Sequence, residues 1–97
     1  MKRRDKINIF ADMLRIATSG ANKTQIVYRA FLNSTIVKRY LSELIKMGLI
    51  VGSDRLYRTT ERGLTFLECY DGLASILDSD LLTIDIAGEV HNVVQQG

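Results

Sequence analysis

Apolar residues recur at helical spacing in the first part of the chain. Ile7, Phe10, Leu14 and Ala17 form one line, and Ile9, Met13 and Ile16 form a second. The spacing predicts a helix over 5–18, and two apolar lines exceed the needs of one core face, so this helix is expected to be covered on two sides. Ser19-Gly20 ends the run, with Gly20 suited to a left-handed backbone. Asn22, followed by Gln25, reads as a capping box that opens a second helix over about 23–30. Phe31-Leu32 then bridges to Asn33, which caps a third helix over about 34–47. Val37, Leu41 and Leu44 form the inward stripe of that helix, flanked by Tyr40 and Ile45, and Gly48 closes it.

The period then changes. Leu49-Ile50-Val51, the turn-forming Gly52-Ser53-Asp54 and the alternating Arg55–Thr59 predict a β-hairpin with its turn at 52–54. Thr60 caps a fourth helix, expected to run from Glu61 to about Asp78. On it Phe66, Tyr70, Leu73 and Leu77 keep a coiled-coil-like spacing, broadened by Leu67, Ala74 and Ile76. Gly63 and Gly72 are expected to weaken this helix, each by about 1 kcal/mol against Ala. Residues 79–97 fit a helix through Leu82, Ile86, Val90, Val93 and Val94, or a strand through Leu82, Ile84 and Ile86. A short helix starting near Ser79 is the favoured reading. No repeat or linker divides the chain, and 97 residues suit one structural domain.

Helix, helix-turn-helix, two-stranded hairpin, helix is the order of a winged helix. The expected fold is therefore mainly α with a small β-hairpin wing (α+β), a winged helix-turn-helix with an extra C-terminal helix or helices. Charge sharpens this picture. All thirteen Lys and Arg lie between Lys2 and Arg62; with five acids in the same stretch, residues 1–62 carry +8. Residues 63–97 hold six acids and no base, hence −6. The expected division is a basic winged-helix DNA-binding core at 1–62 and an acidic, apolar helical segment for dimerisation at 63–97.

On the third helix the face opposite the apolar stripe carries Thr35, Lys38, Arg39, Ser42 and Lys46, hydroxyls and cations that hydrogen-bond base edges and phosphates. Ser34, Thr35, Lys38 and Arg39, near its N-terminal end, are placed to enter a major groove furthest. Lys23 opens the second helix, where a cation and free amides together hold a phosphate. Arg55 is expected beside the wing turn, with Arg58 and Arg62 at the base of the wing and Lys2-Arg3-Arg4 as a basic arm. Tyr28, Tyr40 and Tyr57 read as core or wing packing. Ile9, Met13 and Ile16 on the first helix and Phe66, Tyr70, Leu73 and Leu77 on the fourth are the candidate dimerisation residues. The competing arrangement folds 79–97 back over these two helices within one chain.

The segment Lys23-Thr24-Gln25-Ile26-Val27-Tyr28-Arg29-Ala30-Phe31-Leu32-Asn33 resembles the second helix of archaeal winged-helix regulators of the ArnR-like class. Tyr40-Leu41-x-x-Leu44, Gly48-Leu49-Ile50 and Tyr57-x-x-Thr60-x-x-Gly63 follow the same pattern, over about residues 5–78. The resemblance implies dimeric binding to double-stranded DNA without a cofactor. The family includes small chromatin-associated proteins that dimerise through a long C-terminal helix in an antiparallel coiled coil. This chain departs from that pattern if its fourth helix, with its glycines, ends near Asp78.

Chemistry is not expected. His91 and Cys69 are each the single residue of their type, and Cys69 is expected to be a buried small hydrophobe. One His and one Cys make no zinc site without several carboxylates, and no Gly-rich phosphate loop is present. Asp78 and Asp80 read as a helix end. Asn33-Ser34-Thr35 matches a glycosylation sequon, set aside for a cytoplasmic protein. Asp12 and Arg15 interrupt the apolar stretch that a secretory signal would need after Lys2-Arg3-Arg4. The expectation is a non-enzymatic, cytoplasmic, nucleoid-associated homodimer that binds double-stranded DNA as a transcriptional regulator, reading the major groove with the third helix, with no metal, cofactor, membrane span or small-molecule ligand. The alternatives are a protein–protein interaction module and a nonspecific chromatin-associated DNA coater.

Overall fold

The computed structural model describes residues 5–87, with side chains placed through Leu77. The elements are α1 (Lys6–Ala17), α2 (Lys23–Ala30), α3 (Ser34–Lys46), β1 (Ile50–Ser53), β2 (Leu56–Thr59) and α4 (Glu61–Ala87). Each helix begins where a polar side chain satisfies its first amides. The Asp5 carboxylate accepts from the Asn8 amide at 3.0 Å. Asn22 and Gln25 exchange side-chain and backbone bonds, both at 2.8 Å, as the capping box requires. Asn33 accepts from the Ile36 amide at 2.8 Å, and the Thr60 hydroxyl accepts from the Gly63 amide at 3.1 Å. Such caps are worth about 1 kcal/mol each.

The core forms where α1, α2 and α3 turn their apolar faces together. Phe10, Met13, Leu14 and Ala17 of α1 meet Ile26 of α2, Val37, Leu41 and Leu44 of α3, Leu49 and Ile50 at the start of the wing, and Leu67 of α4. The two apolar lines of α1 therefore merge into one wide face. Met13 is fully buried and offers no surface to a second chain, while Ile9 and Ile16 are half-buried against the core. Ile7, in the first turn, is 47 % exposed. Tyr40 and Tyr57 pack against the core as expected, but Tyr28 is 75 % exposed on the outer side of α2. The residues flanking it, Val27 and Ile26, take the inward positions of that short helix.

The wing pairs Ile50 with Thr59, Val51 with Arg58, Gly52 with Tyr57 and Ser53 with Leu56. Its turn is the two-residue Asp54-Arg55, with φ of 50° and 66°, not Gly52-Ser53-Asp54. Gly52 lies inside β1 for a packing reason. A Cβ there would stand 2.9 Å from the Tyr57 ring, so the ring lies over bare backbone. Ala21 extends the sheet from the other side. Its amide and carbonyl both bond Tyr57, at 2.9 and 2.8 Å, which ties the α1–α2 connection to the wing.

α4 continues to Ala87, past the expected end at Asp78, and no new element starts near Ser79. Asp and Ser cost a helix interior less than 1 kcal/mol each, and neither Gly nor Pro interrupts Asp78-Ser79-Asp80. Apolar residues resume at Leu81 and Leu82, so the helix runs on. Residues 88–97, with His91, lie outside the described residues, as does Lys2-Arg3-Arg4. The first turns of α4 pack on α1: Leu67 is buried, Phe66 and Tyr70 are half-buried, and their rings stack at 6.5 Å. Tyr70 Oη donates to Asn8 Oδ1 at 2.5 Å, and Arg15 pairs with Asp71 at 2.9 Å. Asp71 holds the Arg15 guanidinium pKa above its usual value. Past this point, among the described side chains, Leu73, Ile76 and Leu77 are 57 %, 59 % and 47 % exposed. Cys69 is exposed rather than buried, because two residues carry it about 200° around the helix from Leu67.

The two glycines of α4 differ. A Cβ at Gly63 would stand 2.3 Å from the Leu49 carbonyl oxygen and 2.5 Å from Thr59 Cγ2, whereas a Cβ at Gly72 would meet nothing within 4 Å. Gly63 is thus a packing requirement, and only Gly72 is a helix weakness. Gly63→Ala should destabilise by about 1–3 kcal/mol, and Gly72→Ala should stabilise by about 1 kcal/mol. Urea denaturation of the two variants checks both signs.

Candidate nucleic-acid interface

The sequence builds the site by giving α3 two opposed faces. Val37, Leu41 and Leu44 point inward, which leaves Thr35, Lys38, Arg39, Ser42 and Lys46 exposed on the other side. Two further elements approach this face. The capping box fixes the start of α2, and Tyr57 is held by Ala21 and Gly52. The result is a groove lined by Lys23 of α2, by Lys38, Leu41, Ser42, Ile45 and Lys46 of α3, and by Tyr57 of the wing. A second recess continues it through Lys23 and Tyr57 to Asn22, Thr24 and Arg55.

The fold thus brings together Lys23, Lys38, Ser42, Lys46 and Arg55. Ser34 and Thr35 stand exposed in the first turn of α3. Arg39 lies further round the helix, its guanidinium 5.7 Å from the centre of the Tyr40 ring. Arg58 is not part of this cluster. Tyr57 and Arg58 alternate along β2, so Arg58 takes the other face of the wing, where its Nη2 would stand 3.2 Å from a Cβ at Gly20. Arg62 lies beside the end of α3, with its Cδ 3.6 Å from the Cβ position of Gly48. From the sequence Tyr57 reads as core or wing packing. Its pairing with Gly52 is the cue that it also walls the groove, because alternation then fixes which face its ring takes.

Charge pairing separates these cations from Lys6 and Arg15. Lys6 pairs with Glu43, the sole acid of α3, at 2.7 Å, and lies over the Phe10 and Tyr40 rings at 5.7 and 5.6 Å. Arg15 is taken by Asp71. Among the described residues, Lys23, Lys38, Arg39, Lys46 and Arg55 pair with no acid. A concave surface lined by unmatched cations and hydroxyls attracts polyanions. Also among the described residues, no cluster of His, Cys, Asp or Glu is suited to a metal ion, and no helix is long and apolar enough to cross a membrane.

A family model of winged helix-turn-helix proteins matches residues 3–77. Among solved structures, that of Sso10a-2, a DNA-binding protein from Sulfolobus solfataricus, superimposes with a TM-score of 0.78. The two share 23 % identity, over 90 % of this chain and 96 % of that one. At this identity the likeness speaks for the fold. The comparison with curated proteins gives no match.

The wing turn is strained at its tip. A two-residue turn with both φ positive favours Gly at its second position, and here that position is Arg55 at φ 66°. Holding a non-glycine residue there costs about 1–2 kcal/mol. Arg55→Gly should therefore raise stability, and in a domain of this size about 1 kcal/mol moves the thermal midpoint up by about 4–8 °C. A calorimetric scan that shows no rise would mean that the turn is not strained in this way.

Proposed function

The chain belongs to the winged helix-turn-helix family, and from that premise we propose that it binds double-stranded DNA as a homodimer, acting in transcriptional regulation or chromatin organisation. The observation that carries this is the convergence of unpaired cations from α2, α3 and the wing tip on one groove. In this reading α3 enters the major groove, which is wide enough to admit a helix. Ser34, Thr35, Lys38 and Arg39 face the base edges, and Ser42 and Lys46 follow the groove. Lys23 and Arg55 then clamp one phosphate strand between the start of α2 and the wing tip. Arg58, on the far face of the wing, is left to a neighbouring stretch of backbone. The Sulfolobus protein of similar fold is itself a DNA-binding protein, which supports the same reading here.

The C-terminal helix supplies the second subunit's contact. Leu73, Ile76 and Leu77 continue the stripe of Phe66 and Tyr70 beyond the point where α1 covers it. A two-fold pairing of this stripe, with help from the half-buried Ile9 and Ile16, would bury it and set two recognition helices for paired half-sites. The proposal includes a basic DNA-binding core at 1–62, an acidic dimerisation segment at 63–97, a role without enzymatic activity and a location at the nucleoid, supported by the charge split of the chain.

Fluorescence anisotropy with a generic duplex at several salt concentrations tests the DNA reading. Affinity should fall steeply with salt, with a slope of about 0.9 per phosphate neutralised. The Lys38→Ala/Arg39→Ala variant should bind more weakly. An unchanged affinity would remove the recognition-helix assignment. A salt-insensitive complex with a protein partner and no DNA retention would favour a protein-docking role instead. Leu73→Glu/Leu77→Glu should sediment as a monomer with its helix content kept; a dimer that survives would place the interface elsewhere.

A further inference from the structure

Glu43 is the one acid of α3, and it stands where an acid should interfere. It lies at the margin of the face that carries Thr35, Arg39, Ser42 and Lys46, one residue past Ser42. Arg39 and Glu43 are four residues apart, the spacing at which opposite charges meet on a helix surface. Yet among the described residues Arg39 pairs with no acid. Its guanidinium lies toward the Tyr40 ring, 5.7 Å from the centre. Glu43 reaches to α1 instead, where it meets Lys6 Nζ at 2.7 Å.

Lys6 has a fixed seat for this task. It opens α1, whose first turn is set by the Asp5 cap. Its ammonium lies over the rings of Phe10 and Tyr40, at 5.7 and 5.6 Å, and attraction to the ring faces holds it there. The two rings meet edge to face at 5.2 Å, with Phe10 buried in the core. The side chains of Lys6 and Glu43 are 51 % and 35 % exposed. An ion pair this exposed adds little to stability, so the fold does not depend on it. What the pair changes is the charge on α3, because it offsets Glu43 and draws its carboxylate away from Arg39.

We propose that Lys6 is a positioning residue for DNA binding: by holding Glu43 against α1, it leaves Arg39 of α3 free for the duplex. The inference rests on the DNA reading of the α3 face. Lys6 lines neither cationic recess and need not touch DNA itself. Without its charge, Glu43 returns to Arg39 or stays unmatched at the margin of the face. The first outcome occupies a DNA-binding cation, and the second sets a carboxylate against phosphate. The first turn of α1 therefore tunes affinity from outside the groove.

Fluorescence anisotropy of the full chain with a generic duplex at low salt tests this through a mutant cycle. Lys6→Met keeps the aliphatic stem over the rings and removes the charge. It should bind about two- to threefold more weakly than wild type, the scale of an exposed helix-surface ion pair. Lys6→Arg should bind like wild type. Glu43→Gln should bind at least as tightly as wild type, and Lys6→Met/Glu43→Gln should match Glu43→Gln. Full affinity in Lys6→Met would overturn the proposal. So would a double variant as weak as Lys6→Met, because Lys6 would then touch phosphate directly. Nitrogen-15 NMR of the Arg39 Nε–H without DNA gives a separate readout. Its resonance should shift in Lys6→Met and return in the double variant; no shift would overturn the hold on Arg39. A wild type that binds no duplex would count against the DNA reading, while the NMR shift would still decide whether Lys6 keeps Glu43 from Arg39.

Discussion

The fold depends on a polar junction two residues long. Thr59, buried at the end of β2, donates its hydroxyl to the Leu14 carbonyl of α1 at 2.6 Å. Thr60 donates its hydroxyl to the Gly48 carbonyl at the end of α3, at 2.7 Å, and its amide to the Leu49 carbonyl at 3.0 Å. The same hydroxyl caps α4 through the Gly63 amide. Four elements are thus joined at one place, and α4 approaches closely enough that only a glycine fits at 63. A buried hydroxyl that lost its acceptor would cost about 1–3 kcal/mol, so the junction resists sliding. The wing cannot tilt relative to α3 without breaking it. Since Tyr57 lies two residues before Thr59, the width of the cationic groove is set here too.

With the interior fixed in this way, local strain can be tolerated at the surface. Phe31 and Arg55 both hold positive φ without being glycine, and both are exposed. Neither position gains anything inside the protomer from its side chain. Both sit where tight caps and paired strands over-determine the backbone: the Asn33 cap follows Phe31, and the four-pair ladder of the wing encloses Arg55. Strain of this kind usually accompanies interaction surfaces.

Much of this architecture was legible in the sequence because it rests on local rules. Helix caps at Asn22, Asn33 and Thr60 and the stripe of Val37, Leu41 and Leu44 follow from spacing and side-chain chemistry alone. What the sequence hid depends on contacts between distant residues. Gly63 reads as a helix weakness until Leu49 is seen against it. Gly52 reads as a turn residue until Tyr57 is placed across from it, which moves the turn to Asp54-Arg55. Met13 looks spare on α1 because periodicity does not say how wide a buried face is. Asp78-Ser79-Asp80 looked like a stop, since caps and turns favour these residues, yet favouring a cap does not forbid a helix interior. Of the candidate site, the cations of α3 and Lys23 could be placed from helical period. The removal of Arg58 to the far face required the register of the wing.

The net charge of the chain says little about its surface, and α4 explains why. From Asp71 to Ala87 the helix extends about 24 Å at 1.5 Å per residue. Asp78, Asp80 and Asp85 all lie in that stretch. Exposed charges separated by more than about 8 Å are largely screened at physiological salt. A continuous helix therefore carries Asp78, Asp80 and Asp85 away from the basic body, where they no longer offset its field. Folded back over α1, the same acids would lie on the basic body and weaken it as a polyanion site. The unbroken helix past Asp78 is thus part of the electrostatics of the cationic groove, although no residue of it lines that groove.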